Sequence, residues 1–272
     1  MTTVAIVTGA ASGIGAARAR RLADTVDVLL LADVDETAVT AKAAEIAARG
    51  TTCEAVVVDL TDAAAVQQMV ERAHATGALR SVAHVAGISP TMGDWRRILD
   101  VDLVGTARLV DALRPLVHDG TAIVCFASSA AYLNAQSNAA VDAALDEPLA
   151  GGFFEAYAAA VGESVTDPGL AYSWAKRGVQ RLVRREAVVL GPRGARICSV
   201  SPGMVDTPMG RREYEQQPMM KVLEDMTPLG RTAKADELAA VVGFLLSDDA
   251  SFVTGVDVLV DGGSCAAVGV LG

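Results

Sequence analysis

Cysteine is scarce and scattered in this 272-residue chain: Cys53, Cys125, Cys198 and Cys265 include no C-x-x-C pair. That pattern points to buried, reduced thiols in a cytoplasmic protein rather than a disulfide framework. Histidine is scarcer still. His74, His84 and His118 show no metal-ligand spacing, so no metal site is expected. Positive charge is in deficit, with 23 Lys and Arg against 33 Asp and Glu and a formal net charge of −10. This disfavours nucleic acid and anionic membrane surfaces as partners. No apolar run approaches membrane-spanning length, and the first strand candidate begins at once, so neither a membrane segment nor a signal peptide is expected. No Pro- or Ser-rich linker, repeat or low-complexity tract divides the chain, whose length suits one large α/β domain.

What the chain does contain is short apolar runs alternating with longer helical patterns. Strands are expected at Val4–Thr8, Val26–Ala32, Cys53–Val58, Ser81–Val85, Ala122–Ala127, Ala195–Val200 and Val256–Val260. Runs such as Val28-Leu29-Leu30-Leu31 are apolar without alternation, as strands covered on both faces should be. Helical patterns lie between them near Gly15–Ala23, Glu36–Ala48, Ala63–Ala75, Trp95–Leu116 and Tyr172–Leu190. The alternation predicts a doubly wound Rossmann-type domain with a seven-stranded parallel sheet, with ligands bound beyond the carboxyl ends of its strands.

The first strand runs into Thr8-Gly9-Ala10-Ala11-Ser12-Gly13-Ile14-Gly15 and then a helix. Glycines there allow a tight turn and let the backbone approach a pyrophosphate at the helix N-terminus. The spacing is G-x-x-x-G-x-G, which an ordinary glycine-rich turn would also satisfy. The second strand ends at Asp33, 18 residues past Gly15. An acid near that distance binds the ribose 2′-hydroxyl in NAD proteins, and it would repel the extra phosphate of NADP. No Lys or Arg immediately follows Asp33, so NAD is the expected cofactor.

Tyr172 and Lys176, in Ala171-Tyr-Ser-Trp-Ala-Lys176, are four apart on a helix and meet on one face. An ammonium about 4 Å away contributes on the order of 4 kcal/mol at an effective dielectric of ~20. That would draw a tyrosine from its usual pKa of ~10 toward neutrality, where a general base works best.

Several motifs occur together in one order. They are Thr8-Gly9-x-x-x-Gly13-Ile14-Gly15, Asp59-Leu60, Ala86-Gly87, Ser128-Ser129, Tyr172-x-x-x-Lys176, Pro202-Gly203 and Val260-Asp261-Gly262-Gly263. In this the chain resembles the short-chain dehydrogenases/reductases over nearly its whole length. The resemblance implies an oxidoreductase that interconverts a secondary alcohol and a ketone with a small-molecule substrate. It implies cofactor contacts from Gly9, Ser12, Gly13, Ile14, Gly15, Asp33, Asp59, Leu60, Ala86, Gly87, Pro202, Gly203, Val205 and Thr207. It also implies that Ser129 binds the substrate oxygen, that Tyr172 transfers the proton, and that Lys176 binds the cofactor ribose and lowers the tyrosine's pKa. A dinucleotide-binding regulatory protein that has lost turnover is the alternative.

Two departures from the family pattern stand out. Asp102 occupies the position where the family usually has Asn, whose backbone carbonyl supports a water relay to the lysine; a carboxylate there could instead pair with Lys176. Secondly, Tyr172 follows Ser129 by 43 positions, far more than is usual. The extra segment, roughly 132–168, has helical patterning at Asn138–Leu145 and Phe153–Val161. A similar insertion occurs in bacterial 3α-hydroxysteroid dehydrogenase/carbonyl reductase, the family members this sequence resembles most, which implies a hydroxysteroid or other bulky carbonyl substrate. Phe153, Phe154 and Tyr157 are expected at an interface, with contact to the substrate as the alternative. The segment has no Lys or Arg but carries Asp142, Asp146, Glu147, Glu155, Glu163 and Asp167. It is therefore expected to block the helix-to-helix contact of family tetramers, leave a homodimer, and cover the substrate in part.

Overall fold

The computed structural model describes residues 1–133 and 138–271. Seven parallel strands form the central sheet: β1 (Thr3–Thr8), β2 (Val28–Asp33), β3 (Thr52–Val57), β4 (Ala78–His84), β5 (Ala122–Phe126), β6 (Arg196–Pro202) and, last in the chain, β9 (Asp257–Val260). Their spatial order is β3-β2-β1-β4-β5-β6-β9. Ile6 of β1 is paired with Leu30 on one side and Val82 on the other. Alternate residues point to opposite faces, so Val4 and Ile6 enter one core while Ala5 and Val7 enter the other. This double burial explains the uninterrupted apolar runs. The strand order reverses beside β1, between β1 and β4, which opens a crevice at the carboxyl ends.

The helices that wrap the sheet are α1 (Gly13–Leu22), α2 (Glu36–Ala47), α3 (Ala63–Thr76), α4 (Trp95–Leu99), α5 (Gly105–Leu113), α9 (Pro168–Leu190) and α12 (Ala235–Leu246). Between α4 and α5 the helical path continues through a π-type turn, Asp100–Val104. Elements not anticipated from the sequence include a two-stranded parallel pair, β7 (Val205–Asp206) with β8 (Ala233–Lys234), and, besides α12, the helices α11 (Met219–Met226) and α13 (Ser264–Leu271). With α10 (Pro208–Gln216), α11 forms a roof over the carboxyl ends of β5 and β6.

Helix α9 begins four residues before Tyr172. Asp167 accepts hydrogen bonds from the Gly169 and Leu170 amides at 2.8 and 3.1 Å, and Pro168 takes the first helical position, where its missing N–H is no loss. The long segment before it contributes α6 (Ala130–Leu133), α7 (Ala139–Leu145) and α8 (Phe153–Val161); residues 134–137 lie outside the described residues.

The insertion corrects two expectations. Phe153 and Tyr157 are buried within the chain, not at an interface, and Tyr157 stacks on Trp95 with ring centroids 5.9 Å apart. Its acids meet cations of the same chain: Asp142 holds Arg177 through two 2.7 Å bonds, and Asp146 holds Arg181 at 2.8 and 2.6 Å. Such forked pairs fix geometry as well as charge. They lay α7 along the outer face of α9, away from the crevice. None of the residues 138–168 lines the cleft, so the described insertion does not cover the substrate space.

Candidate active site

The crevice is a cleft of about 1070 Å³. Gly9, Ser12, Gly13, Ile14, Gly15, Asp33, Asp59, Leu60, Ala86, Gly87, Pro202, Gly203, Val205 and Thr207 all line it, with Tyr172 and Lys176. Its floor fits a dinucleotide. No side chain caps α1, which leaves first-turn N–H groups free to meet a phosphate. Gly9 has φ of +66°, and a Cβ there would lie 2.7 Å from the Ala86 nitrogen, so the turn closes only on glycine. Asp33 is aimed by two backbone donors, accepting from the Ala11 amide at 3.0 Å and the Asp35 amide at 3.2 Å. Asp59 accepts from Thr61 and pairs with Arg97 at 3.2 Å; the helix cap of α3 belongs to Asp62 alone. Among the described residues, no group of three His, Cys, Asp or Glu could hold a metal ion.

The reacting end is built by β5 and α9. Tyr172, half-buried, stands near enough to the Ser128 hydroxyl for that group to draw its pKa down. Ser129, the residue expected to bind the substrate oxygen, also lines the cleft. Its amide donates to the Pro202 carbonyl at 2.9 Å, and its hydroxyl has no hydrogen-bond partner among the described residues. Ser128 Oγ also accepts from the Ala130 amide at 3.2 Å, which holds it in position.

Lys176 is buried, with its ammonium over the Tyr172 ring, 5.4 Å from the centroid. It donates to the Phe126 carbonyl at 3.3 Å and lies 3.5 Å from the Asp102 carboxylate. Asp102, in the π-type turn, accepts from the Ile88 amide at 2.8 Å. Gly87 makes room for this pair: a Cβ there would meet Asp102 Oδ1 at 2.8 Å and Lys176 Nζ at 3.1 Å.

The expected lowering of the tyrosine's pKa is not what this arrangement produces. Burial first, then the charges of Asp102 and Glu213, hold Tyr172 above its ordinary value, and only the nearby Ser128 hydroxyl opposes them. Lys176 shares its charge with Asp102, so much less of it reaches the phenol oxygen. Burial also raises the Asp102 carboxyl, against the pull of Lys176 and the Ile88 amide.

Two residues of this network escaped the sequence reading. His84 is fully enclosed, bonded to Thr8 Oγ1 through Nδ1 and to Thr106 Oγ1 through Nε2, each at 2.8 Å. Thr106 gives its only hydroxyl proton to the Asp102 carbonyl at 2.7 Å, so Nε2 must carry the imidazole proton. Burial, helped by Lys176, lowers the His84 pKa to about 3 and keeps the ring neutral. The chain Thr8–His84–Thr106 thus ties the glycine strand to the turn that presents Asp102. The second, Glu213, lines the cleft from α10.

The profile described as short chain dehydrogenase matches residues 3–144, and the one described as enoyl-(acyl carrier protein) reductase matches residues 154–265. The chain belongs to the short-chain dehydrogenase/reductase family. It is 33% identical to cis-4-hydroxycyclohexanecarboxylate dehydrogenase of Sinomonas cyclohexanicum, over 97% of this chain and 96% of that one. It is also 33% identical to meso-2,3-butanediol dehydrogenase of Serratia marcescens, over 98% and 96%. Among solved structures, a short chain dehydrogenase from Burkholderia cenocepacia in complex with NADP superposes with a TM-score of 0.76. That protein is 25% identical, with 96% of each chain covered. Members of this family bind a nicotinamide dinucleotide, which suits the floor of the cleft. No helix among the described residues is long and apolar enough to cross a membrane.

Proposed function

We propose that this short-chain dehydrogenase/reductase is an NAD(H)-dependent cytoplasmic enzyme that interconverts a secondary alcohol and its ketone. The observation that carries the reading is that Ser129 and Tyr172 line the same glycine-walled crevice, with Lys176 over the tyrosine ring. When bound, the nicotinamide supplies the hydride acceptor or donor. Ser129 holds the substrate oxygen, and Tyr172 gives it a proton in reduction or takes one in oxidation. Lys176 orients the cofactor ribose and lies over the face of the phenol. Asp102 is a positioning residue that fixes Lys176. Four unpaired cysteines suit a reducing compartment.

Both curated relatives are named for secondary alcohols, one a cyclic hydroxy acid and one a vicinal diol. The hydroxysteroid expectation leaned on the insertion, and its described part stands away from the cleft, so the smaller alcohols are the better-supported class. The occupied outer face of α9 supports a homodimer over a tetramer built on that helix. Incubation with NAD and a panel of meso-2,3-butanediol, cis-4-hydroxycyclohexanecarboxylate and a hydroxysteroid tests the activity, and reduced cofactor should form with the smaller alcohols.

Cofactor choice follows from Asp33. A phosphate held beside that carboxylate should cost on the order of 1–4 kcal/mol, roughly tenfold to a thousandfold in affinity. NAD should therefore bind more tightly than NADP in fluorescence titrations, and Asp33→Ala should narrow the gap. Equal dissociation constants in the wild type would refute the role given to Asp33.

Asp102→Asn should keep or raise activity at neutral pH. The amide oxygen still accepts from Ile88, while the negative charge that raises the Tyr172 pKa is gone. The rise of alcohol oxidation with pH should accordingly begin at lower pH than in the wild type. An unmoved profile, or loss of activity, would show that the carboxylate does something essential that this role omits.

A further inference from the structure

Beyond the reacting hydroxyls, the cleft is walled by apolar side chains from the roof, among them Met204, Met209, Met219, Leu223 and Met226. Three carboxyls line this part of the cleft, and of these Asp206 and Glu215 are exposed while Glu213 is half-buried. Glu213 lies one helical turn after Met209 on α10, so both look into the same space. Two of its neighbours on that helix have partners: Arg211 pairs with Asp206 at 2.6 Å, and the Tyr214 hydroxyl donates to Glu224 at 2.7 Å. The Glu213 carboxyl has no hydrogen bond or ion pair among the described residues, yet its charge is felt at Tyr172, where it helps to retain the phenol proton. Burial raises its own carboxyl to about 7, with Asp102 adding to the rise and Lys176 opposing it.

A half-buried carboxyl that faces apolar space without a donor is left unsatisfied, and a ligand that brings the donor recovers that loss. The donor must reach Glu213 while another oxygen of the same molecule sits at Ser129 and Tyr172. A hydroxyl meets that need. An ammonium would also have to approach Lys176, which shares the cleft. A carboxylate in its place would face Glu213 with like charge.

We propose that Glu213 is a specificity residue that accepts a hydrogen bond from a second hydroxyl of the substrate, so that the enzyme prefers diols with an apolar body and disfavours carboxylated alcohols. This inference rests on the secondary-alcohol reading above.

The test uses four substrates on one carbon frame: 2,3-butanediol, 2-butanol, 3-hydroxybutyrate and 3-amino-2-butanol. Ratios of kcat/KM are compared in the wild type, Glu213→Gln and Glu213→Ala, since a ratio cancels any change at Tyr172 common to all four. The wild type should favour the diol over 2-butanol by roughly tenfold to a hundredfold, the range for a hydrogen bond to a charged group. Glu213→Ala should erase most of that preference and raise 3-hydroxybutyrate relative to 2-butanol by about tenfold. Glu213→Gln, of the same shape, should keep part of the diol preference while gaining the carboxylate. Unchanged ratios in Glu213→Ala, with 2-butanol still oxidised, would overturn the Glu213 proposal alone. A wild-type preference for the amino alcohol over the diol would overturn it too. Failure of the wild type to oxidise any of the four would overturn the secondary-alcohol reading and this proposal with it.

Discussion

Tyr172→Phe is expected to lose between about a hundredfold and ten-thousandfold of turnover, the usual contribution of a positioned acid or base. The change removes one oxygen and leaves the ring on which Lys176 lies, so NAD affinity should be nearly unaltered. The pH dependence follows from the same surroundings. Because burial, Asp102 and Glu213 keep the phenol protonated, ketone reduction should proceed well at neutral pH. Alcohol oxidation, which needs the phenolate, should climb as the solution becomes more alkaline. The Phe variant should lose that climb along with its rate. Steady-state rates in both directions, measured across pH beside a cofactor titration, check all three points. A variant that retains the wild-type pH profile would show that another group moves the proton.

The adjacent serines give the second large effect. Ser129→Ala should lower kcat/KM by roughly a hundredfold to a thousandfold, as loss of a donor to the substrate oxygen does elsewhere. Ser128→Ala should change it less, because the Ser128 hydroxyl is already engaged by the Ala130 amide. Parallel kinetics on the two variants decide between them. The reverse ranking would give the role to Ser128.

Residue type alone does not separate the two serines, which differ only in what surrounds them. Tyr172, part of those surroundings, comes from α9, more than forty residues further along the chain. The sheet was legible because burial on both faces leaves an apolar run that needs no partner to be recognised. The glycine turn was legible because its constraint is local: Gly9 at positive φ and Asp33 at the next strand end. His84 could not be read in this way, since a lone histidine in an apolar strand carries no local sign of the Thr8 and Thr106 bonds that use it. Glu213 was equally silent, one acid among several in a polar helix.

The insertion lies between these cases. Its two helices were evident from periodicity, but periodicity does not say which face meets the protein, and Phe153 and Tyr157 turned inward. One signal was available. Asp142 and Asp146 are four apart, as are Arg177 and Arg181, and two such stripes of opposite charge match when helices lie side by side. Read together, they would have placed α7 on α9 and cancelled the like-charge repulsion expected of the segment.

The central claim is that the crevice performs hydride and proton transfer and does not merely hold a dinucleotide. Single-turnover mixing of enzyme with NAD and excess 2,3-butanediol, followed by the absorbance of reduced nicotinamide, addresses it most directly. The account predicts close to one reduced cofactor per active site in the wild type and almost none from Tyr172→Phe over the same time. Tight NAD binding with no reduced cofactor formed from any secondary alcohol would contradict it and leave a dinucleotide-binding protein without turnover.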